Sequence, residues 1–132
     1  MHNDILLNIR FAQGQKRDLL SFTSGPDFLR LFPDAQKVFI NKRIKLGSWF
    51  RAIGTKESIA ASVSTNDPKA LRAMKYMPEG TEPFRMEVYA YADSVMLYST
   101  TPPIGGVIIR NEKIADSVRA LFNLVWKLLP GS

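Results

Sequence analysis

Nucleophilic and metal-assisted catalysis draw on histidine, cysteine and clustered carboxylates, and this chain carries little of that chemistry. Its one histidine is His2, beside a chain start where order is poorest, and it has no cysteine. Ser-His-Asp catalysis and His-based metal sites are therefore not expected. Disulfides, iron–sulfur clusters and thiolate zinc sites need a residue the chain lacks. No Gly-x-x-x-x-Gly-Lys-Ser/Thr loop and no Gly-x-Gly-x-x-Gly turn offers a phosphate cradle, and Gly105-Gly106 alone specifies nothing. Glu87 and Asp93 make a formal acid–base pair, but the pattern reads better as a solvent-facing Glu87 and a turn-forming Asp93. No cofactor, no metal and no enzymatic activity are expected.

Charge points to a second kind of chemistry. The net charge is +6, which favours polyanions. Much of the excess falls between Lys37 and Lys56, with Lys42, Arg43, Lys45 and Arg51. A solvated helix face explains this basic patch without a partner. Its rival is a weak nucleic-acid contact, although the chain has no RNP-type motif and no zinc finger. Absence of cysteine fits a reducing cytoplasm, and no apolar run approaches the roughly 18–20 residues of a membrane helix. A soluble, cytoplasmic protein without membrane contact is the expectation.

The elements that must position these residues follow from periodicity and punctuation. With 132 residues, 45% of them hydrophobic and 23% charged, the chain has the makings of one domain with one core. Residues 4–13 suit a short helix through Ile5, Leu6, Ile9 and Phe11, with Gly14 as its end. Residues 18–24 read as a first strand. An interrupted helical region runs from Asp27 to Leu46, with a break or restart at Pro33 and a left-handed terminator at Gly47. Trp49–Ile53 form a second strand, and residues 54–66 a polar connection. Asp67 and Pro68 predict a helix start, closed by Pro78 and Gly80.

The last third is β-rich: residues 84–92, 94–100 and 104–110 read as strands, with Asp93-Ser94 as a turn. Phe84, Met86, Val88 and Ala90 share one face of the first, and Arg85, Glu87, Tyr89 and Tyr91 the other. Gly105-Gly106 permits a bulge or a close backbone approach. Asn111 caps a final helix, where Ile114, Val118, Leu121, Phe122, Val125, Leu128 and Leu129 form a wide apolar stripe expected to pack on the core.

Several stretches carry a family resemblance. They are Leu19-Leu-Ser-Phe-Thr-Ser24, Arg43-Ile-Lys-Leu-Gly-Ser-Trp-Phe-Arg-Ala-Ile53, and Arg72 with Met77-Pro78 before a strand. An aromatic-x-Asp turn at Tyr91-Ala-Asp93 and Gly106-Val-Ile-Ile109 running into Leu121-Phe-x-x-x-Trp126 complete the set. In this order and spacing they resemble the C-terminal, phospholipase D-like domain of TrmB-type transcriptional regulators, over residues 18–132. Residues 1–17 would then be an N-terminal helix, a stub of the family's linker helix.

The resemblance implies a single α/β domain, a mixed sheet flanked by helices, in the order (α)-β-α-β-α-β-β-β-α. Active members of the phospholipase D superfamily carry His-x-Lys-x-x-x-x-Asp where this chain reads Met86-x-Val88-x-x-x-x-Asp93, so nucleophile and phosphate-gripping lysine are both replaced. The implied role is an effector-sensing, dimerising, non-catalytic domain with sugars as the effector class, and DNA reached only through an attached winged helix. By analogy with the superfamily's cleft, Met86, Val88, Asp93, Ser99 and Thr100 are the candidate ligand positions. They read equally as ordinary core and turn residues. A purely structural dimerisation module without ligand is the alternative from another class. Because the segment after Ser99 also departs from the active pattern, the double substitution Met86→His, Val88→Lys is expected to leave a chromogenic phosphodiester unhydrolysed. Turnover above background would show an intact catalytic scaffold.

Overall fold

Strand β1 (Leu19–Phe22) organises the molecule, because it is flanked by one parallel and one antiparallel neighbour. The computed structural model describes residues 2–23, 33–55, 66–82, 84–99 and 101–131, the side chains of residues 2, 33–37 and 66–67 excepted. Around β1 stand β2 (Phe50–Gly54), the two-residue β3 (Asn66–Asp67), β4 (Arg72–Tyr76), β5 (Met86–Tyr91), β6 (Ser94–Ser99) and β7 (Gly106–Arg110). Their spatial order is β3-β4-β2-β1-β5-β6-β7. β1, β2 and β4 run parallel, and β5, β6 and β7 continue antiparallel from β1. The sheet is mixed and the fold is α/β, as expected.

Helices cover both faces. On one, α1 (His2–Phe11) and α2 (Pro33–Lys45) enclose Ile5, Ile9, Leu19, Phe39, Tyr89, Tyr91 and Met96. On the other, α3 (Glu112–Leu128) sets Phe122 onto Leu20, Ile53 and Ala90, with Val118, Val125, Trp126 and Leu129 around it. Asn111 caps α3, its Oδ1 accepting from the Ile114 N–H at 3.1 Å. Gly47 ends the helical segment after α2 with φ of +69°, the left-handed conformation that glycine adopts without penalty. At Gly106 an added Cβ would sit 2.8 Å from Tyr98 Cβ, so β7 closes on β6 only because this residue has no side chain.

Three expectations are corrected. The helix predicted from Asp67-Pro68 is a 3-10 turn, Pro68–Ala70, followed by strand β4. Parallel pairing of Arg72–Tyr76 with β2 and burial of Met74 against Ala52 outweigh the local start signal. Glu87 does not face solvent. β5 is covered on both faces, so Glu87 is only 2% exposed and accepts from Thr23 Oγ1 at 3.0 Å. The α3 stripe is not all core either: its members Ile114, Leu121 and Leu128 are exposed.

Arg43 shows how the parallel half is held. Only 1% exposed, it donates to the carbonyls of Ser48 at 2.7 Å, Leu71 at 2.9 Å and Ala70 at 2.6 Å. One guanidinium thereby ties the end of α2 to the starts of β2 and β4. Burial, with the charge of Arg72 adding to it, pulls its pKa down to about 10. Hydrogen bonds to a charged group are worth about 1.5–3 kcal/mol each. Removing the donor takes one bond from each of three carbonyls, of which that of Leu71 keeps the Phe50 N–H at 2.8 Å. Arg43→Ala is expected to cost about 3 kcal/mol in urea unfolding; a loss under about 1 kcal/mol would mean that the carbonyls find other partners.

Candidate functional site

Helix α3 lies over β1, β5 and β6, and its two flanks differ in chemistry. On the side of β2, Arg119 and Asn123 stand one turn apart and face Gln15, Asp18, Leu20 and Arg51 across a pocket of about 370 Å³. Leu20 and Arg51 are register partners on β1 and β2, so the sheet supplies the floor. The turn Gly14–Arg17 and Asp18 after it supply the wall.

The polar groups here are strongly placed. Arg51 Nη2 donates to Asn123 Oδ1 at 2.9 Å, and its guanidinium lies 5.4 Å from the ring centres of Phe122 and of Trp126. Burial lowers the Arg51 pKa, with Asp18 opposing. Arg119 is different. Its side chain is 11% exposed, among the described residues none of its three guanidinium nitrogens has a hydrogen-bond acceptor, and the Asp116 carboxylate stands 3.8 Å away. Burial lowers its pKa as well.

Asp18 accepts from the Trp49 N–H at 3.3 Å. Burial raises its pKa, against that hydrogen bond and the charges of Arg51, Arg119 and Arg17. Among the lining residues two guanidiniums therefore face one carboxylate, and Asp116 stands beside Arg119 outside the lining.

The predicted ligand positions are elsewhere, and the structure brings together Met86, Val88 and Ser99 but not Asp93. Met86 and Ser99 are cross-strand partners at the open end of the β5–β6 hairpin, and Val88 pairs with Leu97 next to them. Ser99 Oγ donates to the Pro103 carbonyl at 2.8 Å and accepts from the Gly105 N–H at 2.9 Å, so its hydroxyl closes the β6–β7 connection. Asp93 sits in the turn at the opposite end, five strand steps from Met86 to Tyr91 and then beyond, roughly 17 Å or more away. There it pairs with Lys16 at 3.1 Å, which also holds Glu112 at 2.5 Å. Thr100 lies outside the described residues.

The basic residues do not form one patch. Lys42 and Lys45 are exposed, Arg43 is spent on carbonyls, Arg51 belongs to the pocket on the other face, and the Lys37 side chain is outside the described set. Among the described residues no group of three His, Asp or Glu side chains is placed to hold a metal, and no helix is long and apolar enough to cross a membrane.

No family model and no curated protein sequence matches this chain. Among solved structures, TrmBL2, an archaeal chromatin protein described as showing a novel mode of DNA binding, superimposes with a TM-score of 0.63 at 12% identity. The likeness is one of fold. It covers 98% of this chain and 50% of that one, so the chain spans about half the length of TrmBL2.

Asp18, Arg119, Asn123 and Gln15 were missed as site residues because nothing in sequence joins residues 15–18 to residues 119–123. The one local signal is that Arg119 and Asn123 fall four apart, on the side of α3 away from Leu121 and Leu128. A buried donor without an acceptor costs about 1–3 kcal/mol. Replacing Arg119 by Leu is thus expected to leave thermal stability unchanged or raised. A drop in stability of more than about 1 kcal/mol would mean that the guanidinium is already well paired.

Proposed function

We propose that this chain is a non-catalytic regulatory domain of the TrmB-like kind, which pairs with a second copy of itself and senses a small effector. The likeness to TrmBL2 supports the fold side of this reading. The carrying observation is an apolar corner between α3 and the sheet edge. At 3.6 residues per turn, Ile114, Leu121 and Leu128 project opposite to Arg119 and Asn123, toward β6 and β7. There Val107 is exposed on the same face as its register partner Leu97, with Met86 beside them and also exposed.

A second copy fits this corner by spacing and by charge. Ile114, Leu121 and Leu128 are seven residues apart, so an antiparallel copy centred on Leu121 sets Leu121 on its counterpart and Ile114 on the copy's Leu128. Each Lys113 then lies beside the other helix's C-terminal carbonyls, where a cation is favoured. The helix alone is too small an interface. About 25 Å long and about 10 Å wide, it covers roughly 250 Å², against about 800 Å² per partner in a standard interface. Val107, Met86 and the exposed Ile104 extend the surface, and pairing there would also shield the β7 edge.

The absence of His and Lys at positions 86 and 88 supports a role without hydrolysis. The pocket on the other flank of α3 supports effector sensing, because one helix would touch both ligand and partner copy. Coupling requires that the two states of that helix differ in effector affinity. DNA contact is assigned to an attached domain, since Arg43 and Arg51 of the basic stretch are engaged within the fold.

Light scattering tests the reading directly. The chain is expected to run as a dimer, and Leu121→Arg to run as a monomer with an unchanged circular dichroism spectrum. A wild-type monomer at tens of micromolar, where a weak interface would still be partly filled, would refute self-association.

A further inference from the structure

We infer that the pocket between α3, the turn Gly14–Arg17 and the starts of β1 and β2 takes a small polyhydroxylated anion, a sugar phosphate or a sugar acid. The inference rests on the effector-sensing reading and gives that effector its chemistry.

Three features of the pocket select this class. The first is charge: of the lining residues Arg51 and Arg119 are cationic and Asp18 is the one acid, with Asp116 beside Arg119 but outside the lining, so the lining itself favours a ligand with one negative group. The second is unspent donors. Arg51 is fixed by Asn123 and by two aromatic rings, whereas among the described residues no acceptor lies within hydrogen-bond distance of the Arg119 guanidinium, the Asp116 carboxylate standing 3.8 Å away. A planar fork of N–H groups matches a carboxylate or a phosphate, which it can bind through two parallel hydrogen bonds.

The third feature is the remaining lining. Asp18 would repel an anion placed centrally, yet its carboxylate accepts well from hydroxyls. The Asn123 amide nitrogen donates outward once its oxygen is held by Arg51, and Gln15 is exposed at the rim. The anionic group therefore goes to Arg119, and hydroxyls go to Asp18, Asn123 and Gln15.

Other small ligands fit less well. A neutral sugar leaves the fork of Arg119 without a charged acceptor. A nucleotide base needs an open ring to stack on, and the nearby rings are taken: Arg51 lies over Phe122 and Trp126, and Lys75 stands 4.7 Å from the Trp126 centroid. The volume of about 370 Å³ falls at the small end of ligand pockets, which suits one hexose-sized molecule.

Calorimetric titration of the whole chain decides the matter, with glucose monophosphate, glucuronate, inorganic phosphate and glucose as probes. Glucose monophosphate or glucuronate is expected to bind and glucose to bind at least about tenfold more weakly; which of the two anions binds identifies phosphate or carboxylate as the group read. Arg119→Gln, checked for folding by its melting curve, is expected to lose about tenfold or more in affinity for the anion, and Asn123→Ala to lose affinity for the sugar without changing that for phosphate.

Inorganic phosphate bound as tightly as the sugar anions would overturn the reading of hydroxyls. Glucose bound as tightly as its phosphate, or an undiminished Arg119→Gln, would overturn the assignment of the charge. Silence from every probe would sink the inference altogether. A light-scattering monomer, by contrast, refutes self-association and leaves the pocket as it is.

Discussion

One helix cannot cover one face of a seven-stranded sheet. Strands stand about 4.8 Å apart, so seven of them span nearly 30 Å, while a helix with its side chains is about 10 Å wide. On the α3 face no second helix shares the task among the described residues. α3 packs over the middle of the sheet, and among the described residues no other helix covers the strip on either side. What the sequence places along those strips decides their character. Toward β2 the floor is Arg51 and Leu20, and the helix supplies Arg119 and Asn123. Toward β7 the floor is Leu97 and Val107, and the helix supplies Ile114, Leu121 and Leu128. The polar pocket and the apolar corner are the two remainders of one mismatch in width.

The opposite face meets the same mismatch differently, with two helices and with buried polar groups. Glu87, Tyr89 and Tyr98 lie among them. Burial raises the pKa of each tyrosine, and the Glu87 charge adds to it, which keeps both hydroxyls protonated and able to donate. Tyr91 Oη donates to Asp4 at 2.6 Å, and Arg110 donates to the same carboxylate. Burial first, then this bond to Asp4, raises the Tyr91 pKa. Lowering of the Asp4 pKa by Tyr91 and Arg110 exceeds the opposing effect of burial. Such bonds orient α1 more than they stabilise it, because exposed ion pairs contribute little.

Local signals made part of this architecture legible. The β5–β6 hairpin, the Asn111 cap, the left-handed Gly47 and the close approach at Gly106 each follow from a few adjacent residues. β4 did not, because Asp67-Pro68 is a sound helix start and only the unfilled edge of β2 converts the next residues to strand. The wide apolar stripe of α3 was visible, but its division into a core side and an open side depends on where the helix lies on the sheet. The pocket was least legible of all. It joins residues 15–18, 51 and 119–123, and Arg51 alone drew notice, as a member of a basic run from which the fold removes it.

The ties between the two ends of the chain bear on the order in which the protein is made. Asp4 meets Arg110 and Tyr91, Lys16 meets Glu112, and β1 pairs with β5 across nearly seventy residues. Contacts this distant in sequence must wait for the intervening chain and cost loop-closure entropy before they stabilise anything. On the ribosome, α1 and β1 emerge long before the partners that bury them, so Ile5 and Ile9 stay uncovered until β5 and β6 follow and Leu20 until α3 does. Assembly of this domain is thus a late, concerted event, and the early apolar segments belong to the period when a nascent chain depends most on its chaperones.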